Sequence, residues 1–406
     1  MAPIDAGERK LLRQAWVDLC RDLEAAGVHT IDELQDVDNS QELAEALRAV
    51  ARMALMTVQH KMEFSDPDFP SFFRSLDDRY KYGGPDTYIT YVSAAVRGSA
   101  TYRVSGNHHA RNFQLGRFWA PGIKYLDEDG SFEILLSSTE QPGNWQPLDP
   151  AAGEGPQVVP DLYPIAQGQF SGRIYREALD DDAPTHLSIE RIDPGRPRQP
   201  QSLRPELLAQ QLRDAAELFR SMAVWWFQRA TNIRAENQVN VVGPPGTRPP
   251  GVPTYQPPVG SPLNYGVCCW ELDPDQALVV TSDLPEAEYW SFQLYTPWWE
   301  SPDNQHRQTS ISHRHAHLDA DGRFRCVLAH SDPGSPNWLD VGGHRRGFLF
   351  YRWLRPTTDM PTPEAVLTSL EDIRRHLPAD HPAFDQDARD RQLSARRRWF
   401  AGRFQS

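Results

Sequence analysis

The segment "SPNWLDVGGHRRGFLFYRW", Ser335 to Trp353, gathers Asp340, His344 and Arg352 around a glycine pair. An imidazole titrating near neutrality can move protons, and a carboxylate four residues away across a turn can orient it. A guanidinium can hold a developing oxyanion. Together these groups would support general acid–base chemistry. A plainer use competes with it, since an arginine on a β-strand more often pairs with a carboxylate. Gly342 and Gly343 allow a tight turn that would aim His344 and Asp340 at the same space. His344 is therefore expected to serve chemistry and to contribute little packing. Tyr88, Tyr91 and Tyr102 could line an adjoining apolar pocket with phenol donors, and Trp338 could add a ring surface. As strand residues they also suit simple packing.

"SHRHAH" spaces His313, His315 and His317 at i, i+2 and i+4. On a strand all three face one way, with neighbours about 6.6–6.8 Å apart, so two imidazoles could share a metal. A third ligand would require a bend, or Asp340 or His344 in its place. The plainer reading is an exposed strand face, and no metal or other cofactor is expected. His108 and His109 are adjacent and would point to opposite faces. Nucleophile and nucleotide motifs are missing: "GQFSG" (168–172) lacks the elbow spacing, and "GGHRRG" leads into a strand rather than a helix.

Composition narrows the partners. Lys plus Arg total 42 against 55 Asp plus Glu, a net charge of −13 in 406 residues. Phosphate binding needs a positive footprint, so nucleic acid and anionic membrane are not expected partners. Twelve Trp, 13 Tyr and 17 Phe supply rings for cores and for a hydrophobic small-molecule ligand. Homo-oligomerisation stays open. Cys20, Cys268, Cys269 and Cys326 have no CxxC spacing, and the adjacent pair should alternate faces on a strand. The charged N-terminus lacks a signal-peptide core, and no run approaches 18 apolar residues, so a cytoplasmic location is expected.

The elements that must position these groups are mainly β with helical additions. Residues 1–84 read as a helical region. In it Asn39 and Glu42 stand at capping-box spacing before a stripe of Leu43, Leu47, Val50, Ala54 and Val58. β-texture fills 85–200. A helix with Leu207, Leu208, Leu212, Ala215, Leu218, Phe219 and Met222 on one face, then a proline-rich connector, occupies 201–262. β-texture returns over 263–356, and 357–406 reads as a helical tail with a short helix near 363–376.

An internal repeat fixes the relation of the β regions. "DEDGSFEILLSSTEQPGNWQPLD" (127–149) matches "DADGRFRCVLAHSDPGSPNWLD" (319–340), each ending on an Asn-Trp pair. Ala100-Thr101-Tyr102 echoes Ala287-Glu288-Tyr289, Tyr175-Arg176 echoes Tyr351-Arg352, and Pro184-Thr185 echoes Pro361-Thr362. Two related, jelly-roll-like β-sandwich halves follow. Because the Asn144-Trp145 and Asn337-Trp338 corner occurs twice, it reads as a fold device: Asn closes the turn and Trp anchors the core. The loop from Asp340 to Gly347 belongs to one copy only, which marks it for function.

Over 271–354 the chain resembles a bacterial family catalogued as domain of unknown function 1214, through "EAEYWSFQL", "WWESPDN", "DADGRF", "DPGSPNWLDVGGHRRG" and "YRW". "GPDTYITYVSAAVRGSATYRVSG" resembles sequence upstream in such proteins. The resemblance implies a β-sandwich and carries no catalytic residue set. The residues themselves suggest an enzyme on a hydrophobic cyclic small molecule, such as a terpenoid, steroid or aromatic compound. It would use acid–base lyase, isomerase or hydrolase chemistry without a redox cofactor. The rival is a non-catalytic carbohydrate- or lipid-binding sandwich.

Overall fold

The computed structural model of the chain describes residues 5–33, 37, 39–107, 113–115, 129–153, 168–176, 186–245 and 263–402. His108, His109, Pro184, Thr185 and most of the proline-rich connector lie outside the described residues.

The first half builds two four-stranded sheets. One holds β1 (Phe73–Leu76), β2 (Ile89–Ala95), β4 (Phe113–Leu115) and β7 (Gln169–Tyr175), in the order β1-β2-β7-β4. The other holds β3 (Tyr102–Asn107), β5 (Ser131–Ser137), β6 (Trp145–Pro147) and β8 (His186–Arg191), in the order β6-β5-β3-β8. Val92, Ala94 and Ile174 from the first sheet meet Tyr102, Val104, Ile134 and Leu136 from the second in one apolar core.

The second half repeats the plan. β9 (Leu263–Glu271), β11 (Tyr289–Tyr295), β12 (Ser310–Ser312) and β15 (Arg346–Leu354) form one sheet, ordered β12-β11-β15-β9. β10 (Gln276–Ser282), β13 (Phe324–Ala329), β14 (Trp338–Asp340) and β16 (Glu364–Ser369) form the other, ordered β14-β13-β10-β16. Trp270, Phe292, Tyr351 and Trp353 face Leu278, Val280, Phe324 and Leu328 across the core.

The repeat holds bond by bond. Leu135 pairs in parallel with Trp145, and Val327 pairs in parallel with Trp338. Asn144 Nδ2 donates to the Glu133 carbonyl at 3.0 Å, and Asn337 Nδ2 to that of Arg325 at 2.7 Å. Each indole closes the corner, Trp145 on Ser137 O at 3.2 Å and Trp338 on Ala329 O at 3.0 Å. The copies differ in burial. Asn337 is buried and also grips the His317 backbone through both carbonyl and amide, whereas Asn144 is partly exposed. Asn337→Ala should therefore cost roughly 3 kcal/mol, because three backbone groups, one buried and two partly buried, lose a partner, while Asn144→Ala should cost under about 1 kcal/mol. Denaturant melts of the two variants check the difference.

Three details depart from the sequence reading. Tyr102 lies on β3, which pairs with β5 as β10 pairs with β13, so its counterpart is Leu278 and not Tyr289. Residues 364–369 form strand β16 on the edge of β10, followed by one 3-10 turn at Ile373–His376, where a helix was expected. The free edge of β10 overrides the local helical pattern, and β8 takes the matching edge of β3. Trp338 is only partly buried, with the Arg389 guanidinium 5.0 Å above its ring, so it adds less core packing than a fully buried indole.

Three helices, α1 (Ala6–Glu33), α2 (Ser40–Glu63) and α3 (Pro205–Glu236), pack together on the second half. Met53 and Met56 of α2, with Phe219, Met222, Trp226 and Ile233 of α3, cover Val267, Cys269 and Phe348 on the outer face of the β9–β15 sheet. Cys268 turns the other way into the sandwich core. Leu47 and Leu207, placed on the apolar faces by spacing, are exposed. A last helix, α4 (Gln386–Gly402), docks Trp399 and Phe400 where the two halves meet. No helix among the described residues is long and apolar enough to cross a membrane.

Candidate functional site

The glycine-turn loop does not assemble a catalytic group. Gly342 and Gly343 have φ of 64° and 85°, as the tight turn requires. Asp340, however, accepts from Arg307 at 2.7 Å and from the Gly342 amide at 2.8 Å. His344 is buried and turns to Glu45 of α2, Nε2 to Oε2 at 2.5 Å, with Nδ1 2.8 Å from Val341 O. Arg346 pairs with Glu42 at 2.8 Å, and Gln41 donates to Gly342 O at 3.1 Å. The loop is thus a socket for the first turns of α2. The helices rest mainly on the outer face of the β9–β15 sheet, in keeping with the loop's absence from the first copy.

His344 therefore contributes to packing, contrary to the sequence expectation. Burial works to lower its pKa, but the hydrogen bond and charge of Glu45 outweigh that and shift it upward from 6.5. Burial would raise the Glu45 pKa, and the His344 bond and charge reverse the sign, leaving it below 4.5. The His344 contribution is complete below its unfolded pKa and fades as pH rises through the higher folded value. Glu45 contributes above its unfolded pKa and loses its share as pH falls through the lowered one. The latch should accordingly be strongest between these limits. The melting temperature of the wild-type chain should fall from about pH 6 to about pH 9 more steeply than that of His344→Gln. Parallel pH profiles would contradict the latch.

The histidine run is not a strand face. β12 ends at Ser312, and backbone bonds from His315 and Ala316 to Ser312 O close a turn. His313 lies against Tyr289, His315 stacks on Tyr88 at 4.8 Å, and His317 lies near Asp319. Among the described residues no group of three or more His, Cys, Asp or Glu is arranged to hold a metal.

Arg352 sits elsewhere, six residues along β15 from Arg346 and so roughly 20 Å away. It is fully inside the protein and pairs with Asp86, which the sequence reading did not pick out. Asp86 Oδ1 accepts from the Tyr88 amide at 2.9 Å, Oδ2 from the Ser291 hydroxyl at 2.7 Å, and both oxygens lie 3.0 Å from the Tyr289 hydroxyl. The other Arg352 nitrogen donates to Tyr295 Oη at 2.6 Å and to Gly84 O at 3.0 Å. Gly84, at φ 63°, admits no side chain, since a Cβ would meet the Trp299 indole at 2.5 Å. Gln293 brackets the same segment, donating to Pro85 O and accepting from the Thr87 amide.

This centre lies between the outer faces of two sheets. β11 alternates Trp290, Phe292 and Leu294 into the sandwich core and Tyr289, Ser291, Gln293 and Tyr295 outward. Opposite them stand Tyr91 of β2 and Arg173 and Tyr175 of β7. Tyr91 and Arg173 are cross-strand partners, with the guanidinium 5.4 Å from the ring. Tyr175 meets Tyr289 edge-on at 5.1 Å. Tyr265 of β9 lies 5.4 Å from the Arg352 guanidinium and is only partly buried, as is Tyr91. The Tyr175 hydroxyl is buried and has no hydrogen-bond partner among the described residues. Burial pushes the Tyr265 pKa up to about 12 and those of Tyr175, Tyr289 and Tyr295 well above the ordinary phenol value. All four keep their protons at neutral pH and are hydrogen-bond donors.

The other tyrosines and Trp338 stand apart. Tyr88 donates to Ser310 O at 3.0 Å and packs on Trp399. Tyr102 belongs to the first sandwich core and donates to Pro67 O. Trp338 is on the far sheet of the second half. An open groove of about 640 Å³ between 68–70 and 189–198 contains Arg191, but Asp68 and Asp193 already engage that guanidinium.

The fold and this centre define a mainly β protein of two sandwich halves with helices packed on one of them. Residues 271–358, most of the second half, match the family described as protein of unknown function (DUF1214). A crystal structure of an uncharacterized protein from Burkholderia cenocepacia is 27% identical with a TM-score of 0.75, covering 90% of this chain and 99% of that one. The VPA0106 protein from Vibrio parahaemolyticus is 13% identical with a TM-score of 0.38, over 86% and 99% of the two chains. No curated protein matches.

Proposed function

We propose that the chain is an enzyme acting on a hydrophobic cyclic small molecule by acid–base chemistry, with its site between the two sandwich halves. The observation that carries this reading is the Tyr175 hydroxyl, a buried phenol without a partner. Buried donors are nearly always satisfied, so an exception facing a cluster of rings calls for an acceptor from outside. Asp86 and Arg352 satisfy each other and leave no uncompensated charge between them, which suits an uncharged oxygen such as a carbonyl. Tyr265 and Tyr175 would donate to that oxygen and stabilise charge developing on it. Tyr91 and Tyr295 would flank an apolar ring body, and Asp86 with Arg352 would hold the tyrosines in place.

A thermal-shift screen tests the reading. Cyclic ketones and phenols should raise the melting temperature, and their oxygen-free hydrocarbon counterparts should do so less. Stabilisation by sugars or acyl chains alone, unaffected by Tyr175→Phe, would favour a carbohydrate- or lipid-binding module instead.

A further inference from the structure

Lys10, Lys61, Lys81 and Lys124 are the only lysines in a chain with 42 Lys and Arg together. Lys81 is buried on the segment between β1 and β2. Its ammonium can donate three hydrogen bonds, and the one it makes among the described residues is to Pro302 O at 2.8 Å. The loop that supplies this carbonyl also carries Glu300, which is 1% exposed. Arg52 holds Glu300 Oε2 at 2.6 Å, and Oε1 has no partner among the described residues. Ser301 Oγ, Asn304 Oδ1 and Thr309 Oγ1, on the same loop, are likewise buried and unpartnered. So many unsatisfied atoms on one loop are foreign to a closed protein interior.

Lys81 and Glu300 lie near enough to feel each other's charge. They do not close into an ion pair, because Arg52 draws the carboxylate one way and Pro302 the ammonium another. Burial lowers the Lys81 pKa, with Arg52 adding to the effect and Glu300, Asp78 and Asp303 opposing it. Burial raises the Glu300 pKa, against the pull of Arg52, Lys81 and Arg48. Burial thus works toward a freer amine on Lys81 and a more tightly held proton on Glu300. That combination is suited to carbonyl condensation.

We propose that Lys81 and Glu300 form a second site, which binds a small aldehyde or ketone with Lys81 as its nucleophile. The Nζ lone pair forms a bond to the carbonyl carbon while the C=O π pair moves onto oxygen. A proton passes from nitrogen to that oxygen and gives the carbinolamine. Glu300 then donates its proton to the hydroxyl, which leaves as water as the nitrogen lone pair closes the C=N bond. The carboxylate recovers the remaining N–H proton, so the net products are one imine and one water. Arg52 is a positioning residue that orients Glu300.

Incubating the full chain with acetaldehyde and sodium cyanoborohydride near neutral pH would fix any imine as an N-ethyl amine, read by peptide mass spectrometry. Lys81 should be modified faster than exposed Lys10, because its lowered pKa leaves more of it as free amine near neutral pH. The Lys81 rate should level off at a lower pH than that of a free ε-amine such as acetyl-lysine amide, run as a reference in the same tube. Glu300→Gln should slow Lys81 and leave Lys10 unchanged. If Lys81 stays unmodified while Lys10 reacts, the loop encloses water only and the proposal fails. A Lys81 rate that follows the pH profile of the free reference amine would overturn it as well, without relying on any variant folding.

Discussion

Asp86→Ala should remove about 3–5 kcal/mol of stability, a large part of the roughly 5–15 kcal/mol that holds a domain together. Among the described residues the carboxylate is the only counter-charge paired with Arg352, which is 4% exposed, and it also satisfies Tyr289, Ser291 and the Tyr88 amide. Truncating it strands a guanidinium where water cannot replace the lost partner. Removing both charges is milder, so Asp86→Ala combined with Arg352→Met should be more stable than Asp86→Ala alone. Urea denaturation of the two single variants and the double variant closes the cycle. An Asp86→Ala cost below about 1 kcal/mol would mean that the pair is hydrated and does not clamp the halves.

The second large effect concerns chemistry. Tyr265→Phe should leave the melting temperature nearly unchanged, since the ring stays and the phenol is only partly buried. Turnover of a cyclic carbonyl substrate should fall by about 10²- to 10⁴-fold, the usual contribution of a positioned acid. Tyr91→Phe offers a comparison, because the Tyr91 oxygen is already taken up by the Asp86 amide at 3.0 Å. It should lower turnover far less. Equal losses in the two variants would assign Tyr265 a packing role.

The fold was largely legible because the Asn-Trp corner leaves a local signature. An aspartate-glycine turn, an apolar strand and a short parallel return recur with one insertion, and their hydrogen bonds coincide. The helix start at Asn39 was legible for the same reason, as its side chain accepts from the Glu42 amide. Capping is a local interaction. The other half of the capping box is absent, because Glu42 reaches across the fold to Arg346 instead. Partners separated by about three hundred positions leave no trace in spacing. His344 with Glu45 and Arg352 with Asp86 are hidden in the same way.

The centre nonetheless left one readable mark. "YWSFQLY" on β11 alternates Trp, Phe and Leu with Tyr, Ser, Gln and Tyr, and all seven residues are buried. A strand whose polar side faced water would carry charged residues there. Uncharged hydrogen-bonding groups instead indicate a second covered face. Arg352 was visible as a candidate by its residue type, whereas the glycine turn that drew attention to His344 and Asp340 proves to be the seat of α2.

The most direct measurement is a crystal structure of the chain soaked with a cyclic ketone that raises its melting temperature. The expected result is density between β7 and β9, with the ketone oxygen within hydrogen-bond reach of Tyr175 or Tyr265 and the ring against Tyr91 and Tyr295. Density confined to the open groove near Arg191, with the Tyr175 hydroxyl still unpartnered, would contradict a site between the halves.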